Sequence, residues 1–341
     1  MSIFMSKRIE WIDVVKGILI LTVIIGHAIQ EQFKVRGLYF EDNIWRNIIY
    51  SFHMPAFMAM SGYLAYRPKS TELRMSIISK KFYQLMVPFF IWTVPLFFMC
   101  NNVDNIFDYV LYPNKGYWFL WALFFIIVIY NVVDWACLKS GAKQEIGIAI
   151  TIVVLIVGQI ISPNSKLLGY EYIAYYFIFY MMGYYANKYQ MLFPRNKWIA
   201  IALFLIWAIM ACFWTPNDLP FFLENIPLIP HKVLQLSYRM LTPVIFILGM
   251  YSFAPHMKVG ISWIWKIIIE LGQTSLGLYL AHMLFKSILA DIMFDWFPQL
   301  PVWIGVVVEF LLLTVLSIGL VRVIKKNKVA SKLLLGIYNK R

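Results

Sequence analysis

Lys16 and His27 are the residues able to do chemistry within the first hydrophobic run, DVVKGILILTVIIGHAIQ at 13–30. They stand eleven positions apart, so at 100° per residue an α-helix returns them to within roughly 20° of one another after three turns. Both lie on one helix face, separated by about 16 Å of rise. Imidazole gains and loses a proton near neutral pH, which suits His27 to proton transfer. Asp13 and Gln30 fall close to the same stripe, whereas Thr22 does not. An ionisable group costs about 3 kcal/mol at the centre of a membrane helix, so such groups face a bundle interior or a water-filled cavity. A packing stripe with His27 bonded to neighbouring backbone would look the same in sequence. The one-sided series of Asp, Lys, His and Gln favours a functional track.

Other hydrophobic segments carry polar residues in the same way. In NIWRNIIYSFHMPAFMAMSGYLAYR (43–67), Arg46, Tyr50 and His53 share a face, and Pro55 with Ser61-Gly62 predicts a kink and a close helix contact. His53 could belong to a site or fasten the backbone near Pro55. In ELGQTSLGLYLAHMLFKSILA (270–290), Ser275, Tyr279, His282 and Lys286 share a face, and His282 reads as a buried hydrogen-bonding residue. Glu309 is an acid within the last hydrophobic segment and requires a partner.

The elements that must position these groups are membrane helices. Of the 341 residues, 61% are hydrophobic and only 14% charged, against about a quarter charged in soluble domains. Apolar stretches near twenty residues recur along the whole length. They predict ten spans, at 11–30, 44–66, 82–101, 117–138, 146–164, 170–188, 198–215, 237–257, 264–290 and 301–324, within a single integral membrane domain over 1–341. The first run lacks a small-residue cleavage site and is expected to remain as a span. The three cysteines show neither metal nor disulfide spacing and read as small hydrophobes.

A net charge of +13 would suggest nucleic acid in a soluble protein. Here the distribution of the charge carries the information. With the N-terminus inside, most of the 30 Lys and Arg residues fall in inner loops and the C-terminal tail, while the acids gather in outer loops. Both termini are therefore expected in the cytoplasm. The inner loop RPKSTELRMSIISKK (67–81) holds five basic residues and one acid. That charge is what any inner loop carries, and it would also suit a polyphosphate ligand.

Taken together, these segments resemble the acyltransferase 3 family of bacterial integral membrane acyltransferases, which includes fucose 4-O-acetylase-like members. The opening RIEWIDVVKGILILTVIIGHA is similar to that family's R-x-x-x-ID-x-x-KGI…GH stretch, with Lys16 and His27 on its R/K-x10-H motif. FHMPAFMAMSGYL (52–64), KKFYQLMVPFFIW (80–92), YWFLWALFF (117–125) and LGQTSLGLYLAHMLF (271–285) follow in the family's order. Where relatives often carry an R-x-x-R pair proposed to meet the donor, this chain has Lys81 and Gln84, with Lys80 and Arg74 as nearby substitutes.

The resemblance implies an all-α helix bundle in the bacterial inner membrane. It implies an acyl-CoA co-substrate, most simply acetyl-CoA, with no resident cofactor, no metal and no nucleic acid. The acceptor would be a saccharide or glycolipid. His27 would serve as general base and Lys16 as a donor-side or electrostatic residue, with Arg74, Lys80 and Lys81 toward the donor. Asp13, His53, Ser61, Tyr279 and His282 are the further polar candidates. A transporter or flippase using the same histidines as a relay is the alternative, and movement of substrate across proteoliposomes without an acyl donor would reveal it.

Overall fold

The computed structural model describes residues 10–40, 43–66, 75–100, 104–162, 166–190, 195–216, 218–224, 226, 229–257 and 263–337. The helices are α1 (Glu10–Val35), α2 (Ile44–Tyr50), α3 (His53–Ala65), α4 (Met75–Lys81), α5 (Val87–Cys100), α6 (Asp108–Leu111), α7 (Trp118–Ser140) and α8 (Gln144–Ile161). They continue with α9 (Tyr170–Lys188), α10 (Lys197–Cys212), α11 (His231–Phe253), α12 (Trp263–Gln273), α13 (Ser275–Trp296), α14 (Val302–Lys326) and α15 (Lys328–Leu335). No strand occurs among the described residues. The architecture is an all-α polytopic membrane bundle.

Seven described helical stretches, with α4 through α5 counted as one, are long and apolar enough to cross a membrane. The other expected spans coincide with α2–α3, which is broken, with the tyrosine-rich α9, and with α10, which has 16 residues. Lipid replaces water around the bundle: α8 leaves Ile150, Val153, Val154 and Ile161 exposed along its length.

α1 is the central post and contacts α3, α12, α13 and α14. We call the end where α1 begins the lower end. Side-chain bonds tie the lower helix ends together: Asn187 Nδ2 donates to the Tyr63 carbonyl at 2.7 Å, and Arg322 donates to Glu270 at 3.0 Å. At the upper end, Gln32 Nε2 donates to Glu309 Oε2 at 2.7 Å. This is the partner that the buried acid required, since Glu309 is 0% exposed.

Two pairs of glycines set the closest approaches. A Cβ on Gly62 would overlap the Tyr180 carbonyl, and one on Gly183 would overlap that of Ala59, so α3 and α9 meet backbone to backbone. Gly17 and Gly272 do the same for α1 and α12, against Ile268 and Asp13.

Two expected spans differ from the sequence reading. The second breaks at Ser51-Phe52, where Phe52 takes φ −138° and ψ −32°. Pro55 lies in the first turn of α3, where its missing N–H leaves no helix bond unmade, so the break precedes it. The ninth is divided at Thr274: α12 is a separate 11-residue helix against α1, and α13 alone forms the span. A π turn at Phe82–Met86 joins α4 to α5, and α15 is an additional short helix near the C-terminus.

Candidate functional site

The polar face of α1 borders cavities along its length. A lower chamber of about 470 Å³ is lined by Lys16, Ser61, Lys81, Gln84, Gln273 and Ser275, with apolar walls from Ile20, Phe57 and Leu123. The π turn places Lys81 and Gln84 on this wall, an arrangement that π insertions commonly serve at functional sites. The break at Thr274 presents Gln273 and Ser275. The C-terminal Leu335–Ile337 segment closes another side; Trp92 Nε1 donates to the Leu334 carbonyl at 2.7 Å, and Gly336 (φ +60°) lies against the Gln84 backbone.

Above it are an upper chamber of about 790 Å³ and a side chamber of about 250 Å³. His27, Arg46, Tyr50, Trp118 and Tyr172 line both. Tyr279 lines all three cavities and is their common wall. The 13–30 run thus passes along a sequence of chambers, with Lys16 on the lower one and His27 on the upper two.

The bonds of His27 orient its ring. Its Nδ1 lies 3.1 Å from Gln30 Oε1, one turn along the same helix. An amide oxygen only accepts, so this contact favours, for the neutral ring, the tautomer with the proton on Nδ1 and the lone pair on Nε2. Tyr50 donates its hydroxyl to the same oxygen at 3.4 Å, which holds Gln30 in that orientation. The His282 ring stands 5.2 Å from that of His27, centroid to centroid. Beyond it, Lys286 pairs with Glu31 at 2.7 Å, with side-chain exposures of 13% and 5%.

The remaining sequence candidates separate into groups. Ser61 lines the lower chamber and donates to the Phe57 carbonyl at 2.9 Å. His53 faces the side chamber while its Nδ1 bonds the Ile49 carbonyl at 2.6 Å, so it both lines the cavity and fastens the broken backbone. His282 is 0% exposed, bonded through Nδ1 to the Leu278 carbonyl at 2.9 Å. Asp13 receives a bond from Gln273 at 3.3 Å and is not part of the chamber wall. Lys80 is exposed on α4 and also stands off that wall. Arg74 lies outside the described residues.

The family described as an acyltransferase domain, acyltransferase 3, matches residues 9–324. This chain belongs to the acyltransferase 3 family. It is 36% identical over 126 residues to nodulation protein NolL of Sinorhizobium fredii (strain NBRC 101917 / NGR234), covering 33% of this chain and 32% of that protein. It is 33% identical over 132 residues to nodulation protein NolL of Mesorhizobium japonicum (strain LMG 29417 / CECT 9101 / MAFF 303099), covering 36% and 35%. The chain thus spans about a third of the length of these curated relatives. No solved structure matches it.

As an acyltransferase 3 protein, the chain is a multi-pass membrane protein. Its chambers also contain residues that sequence reasoning passed over. Trp118 stacks on Tyr172 and Tyr176, with centroids 4.5 and 5.0 Å away. Arg239 lies over the Tyr175 ring at 5.2 Å, and Tyr175 donates its hydroxyl to the Arg239 carbonyl at 2.8 Å. These residues come from α7, α9 and α11, so no local spacing relates them. The only sequence signal was an arginine within a hydrophobic segment.

Proposed function

We propose that this protein transfers an acyl group, most simply acetyl, from cytoplasmic acyl-CoA to a hydroxyl of a cell-surface or lipid-linked saccharide. The carrying observation is His27: Gln30 orients its ring, and it lines the upper chambers on the same helix face as Lys16 in the lower one. The distribution of Lys and Arg supports a cytoplasmic lower end, and with it residence in the bacterial cytoplasmic membrane. The donor then enters from below, its polyanionic end beside Lys80 and Lys81 at the end of α4 and its acyl-bearing arm in the lower chamber. Lys16, Lys81 and Gln84 contact the donor there, Lys80 acts nearer the surface, and Arg74 is a further donor-side candidate.

A sugar hydroxyl is a weak nucleophile at neutral pH and needs a base. In this reading His27 Nε2 takes the hydroxyl proton while the oxygen bonds to the thioester carbonyl carbon. The tetrahedral adduct collapses, the C–S bond breaks, and the imidazolium returns its proton to the departing thiolate. The products are an ester and free CoA thiol, with neutral His27 restored. Gln30 keeps Nδ1 protonated throughout, and Tyr279 stands where donor and acceptor meet. The family match over residues 9–324 supports acyl transfer, and the partial similarity to the two nodulation proteins names no acceptor.

Mass spectrometry of surface glycans from wild-type and gene-deletion strains tests the reading. The expected result is loss of an acyl mass from one glycan in the deletion strain, restored by the plasmid-borne gene. Identical glycan masses in the two strains would contradict it.

A further inference from the structure

Arg239 is a cation in a hydrophobic helix that the proposed chemistry leaves unused. No described residue forms an ion pair with it, and its Nε, buried within the protein, has no hydrogen-bond partner among the described residues. The guanidinium is nonetheless well fixed. It rests on the Tyr175 ring, and the Tyr175 hydroxyl anchors its backbone. A positioned cation in a membrane protein with no ion-pair partner among the described residues is a costly arrangement that a bound anion would offset.

The surroundings describe what else that anion carries. Arg239 lines the side chamber of about 250 Å³ together with Arg46, His27 and the Trp118–Tyr172–Tyr176 stack. Arg46 sits over Tyr50 at 5.0 Å and donates to Asn47 Oδ1 at 3.2 Å. Flat aromatic faces bury the apolar C–H surface of a sugar ring while its hydroxyls reach polar neighbours. Among the described residues Glu171 is the carboxylate on this wall.

We propose that the side chamber is an acceptor subsite that binds an anionic sugar, with a phosphate or carboxylate on Arg239 and the sugar ring against the aromatic stack. This rests on the acyl-transfer reading above and narrows its acceptor to a charged saccharide. The anion seats the acceptor so that an adjoining hydroxyl reaches His27 on the chamber wall. Arg239 is thus a binding and positioning residue, not a participant in bond making.

The test uses the full-length protein in nanodiscs of neutral lipid and equilibrium binding of radiolabelled glucose, glucose 1-phosphate and glucuronate. The wild type should hold at least one anionic sugar about tenfold more tightly than glucose, the size expected of a charge-assisted bond. Whether phosphate or carboxylate is favoured identifies the source of the charge. Arg239→Gln should abolish the preference and Arg239→Lys should keep most of it. Glu171→Gln should strengthen anion binding several-fold, a gain that a misfolded variant cannot produce. Equal binding of all three sugars by the wild type, or an undiminished preference in folded Arg239→Gln, overturns the proposal. Acyl transfer is scored separately in the deletion strain. Intact transfer without anion preference sinks the subsite alone, and anion preference without transfer sinks the acyl-transfer reading alone.

Discussion

Removing Glu31 should destabilise the bundle far more than removing Glu31 and Lys286 together. The two side chains meet at 2.7 Å, with exposures of 5% and 13%. At an effective dielectric constant near 20, this separation corresponds to roughly 6 kcal/mol of attraction, much of it offset by the desolvation of both groups. Losing one partner leaves the other charge buried, at a cost of about 3–5 kcal/mol, whereas replacing both with apolar groups of similar size is nearly neutral. Glu31→Leu and Lys286→Met should each lower stability by that amount, and the double variant by about 1–2 kcal/mol. The assay is a double-mutant cycle by denaturant unfolding in mixed micelles. Simple additivity of the two single variants would refute the reasoning, because it would mean that neither charge depends on the other.

Further predictions concern packing and the site. Gly62→Ala pushes a methyl group into the Tyr180 carbonyl and should cost about 1–3 kcal/mol, measured by the same unfolding assay; unchanged stability would mean that α3 and α9 can separate freely. Gln30→Leu removes the acceptor that fixes His27 and should lower kcat by about tenfold or more with little change in the KM for acyl-CoA. An effect confined to KM would count against tautomer control. Lys16→Ala should raise the KM for acyl-CoA by about tenfold, with Lys16→Arg close to wild type; an unchanged KM would take Lys16 out of the donor chamber's function.

What the sequence made legible follows from which signals are local. The helical period is local, so the common face of Lys16 and His27 could be worked out within one segment, and both border cavities in the folded protein. The helix pattern of α1, α7, α9 and α14 was readable for the same reason. The break before α3 was placed too late because Pro55 attracts attention, yet a proline is accommodated in a first helical turn. α15 could have been found: Asn327 caps Val329 and Ala330, and Gly336 ends the helix in a left-handed conformation. The π turn left no such mark. Trp118, Tyr172, Tyr175 and Arg239 converge only through the packing of α7, α9 and α11, which no single-segment argument supplies. Gln84, expected to be a departure from the donor-binding pattern, lies on the lower chamber wall beside Lys81.

The central claim is that His27 carries the proton transfer in acyl transfer. Its most direct test is single-turnover transfer from acyl-CoA to surface glycan by purified wild type and His27→Ala, each first shown to be folded and to bind the donor. Removing a general base typically costs about 10²–10⁴-fold. The account predicts a loss of that size in His27→Ala with donor affinity retained. Transfer at the wild-type rate by His27→Ala would contradict it.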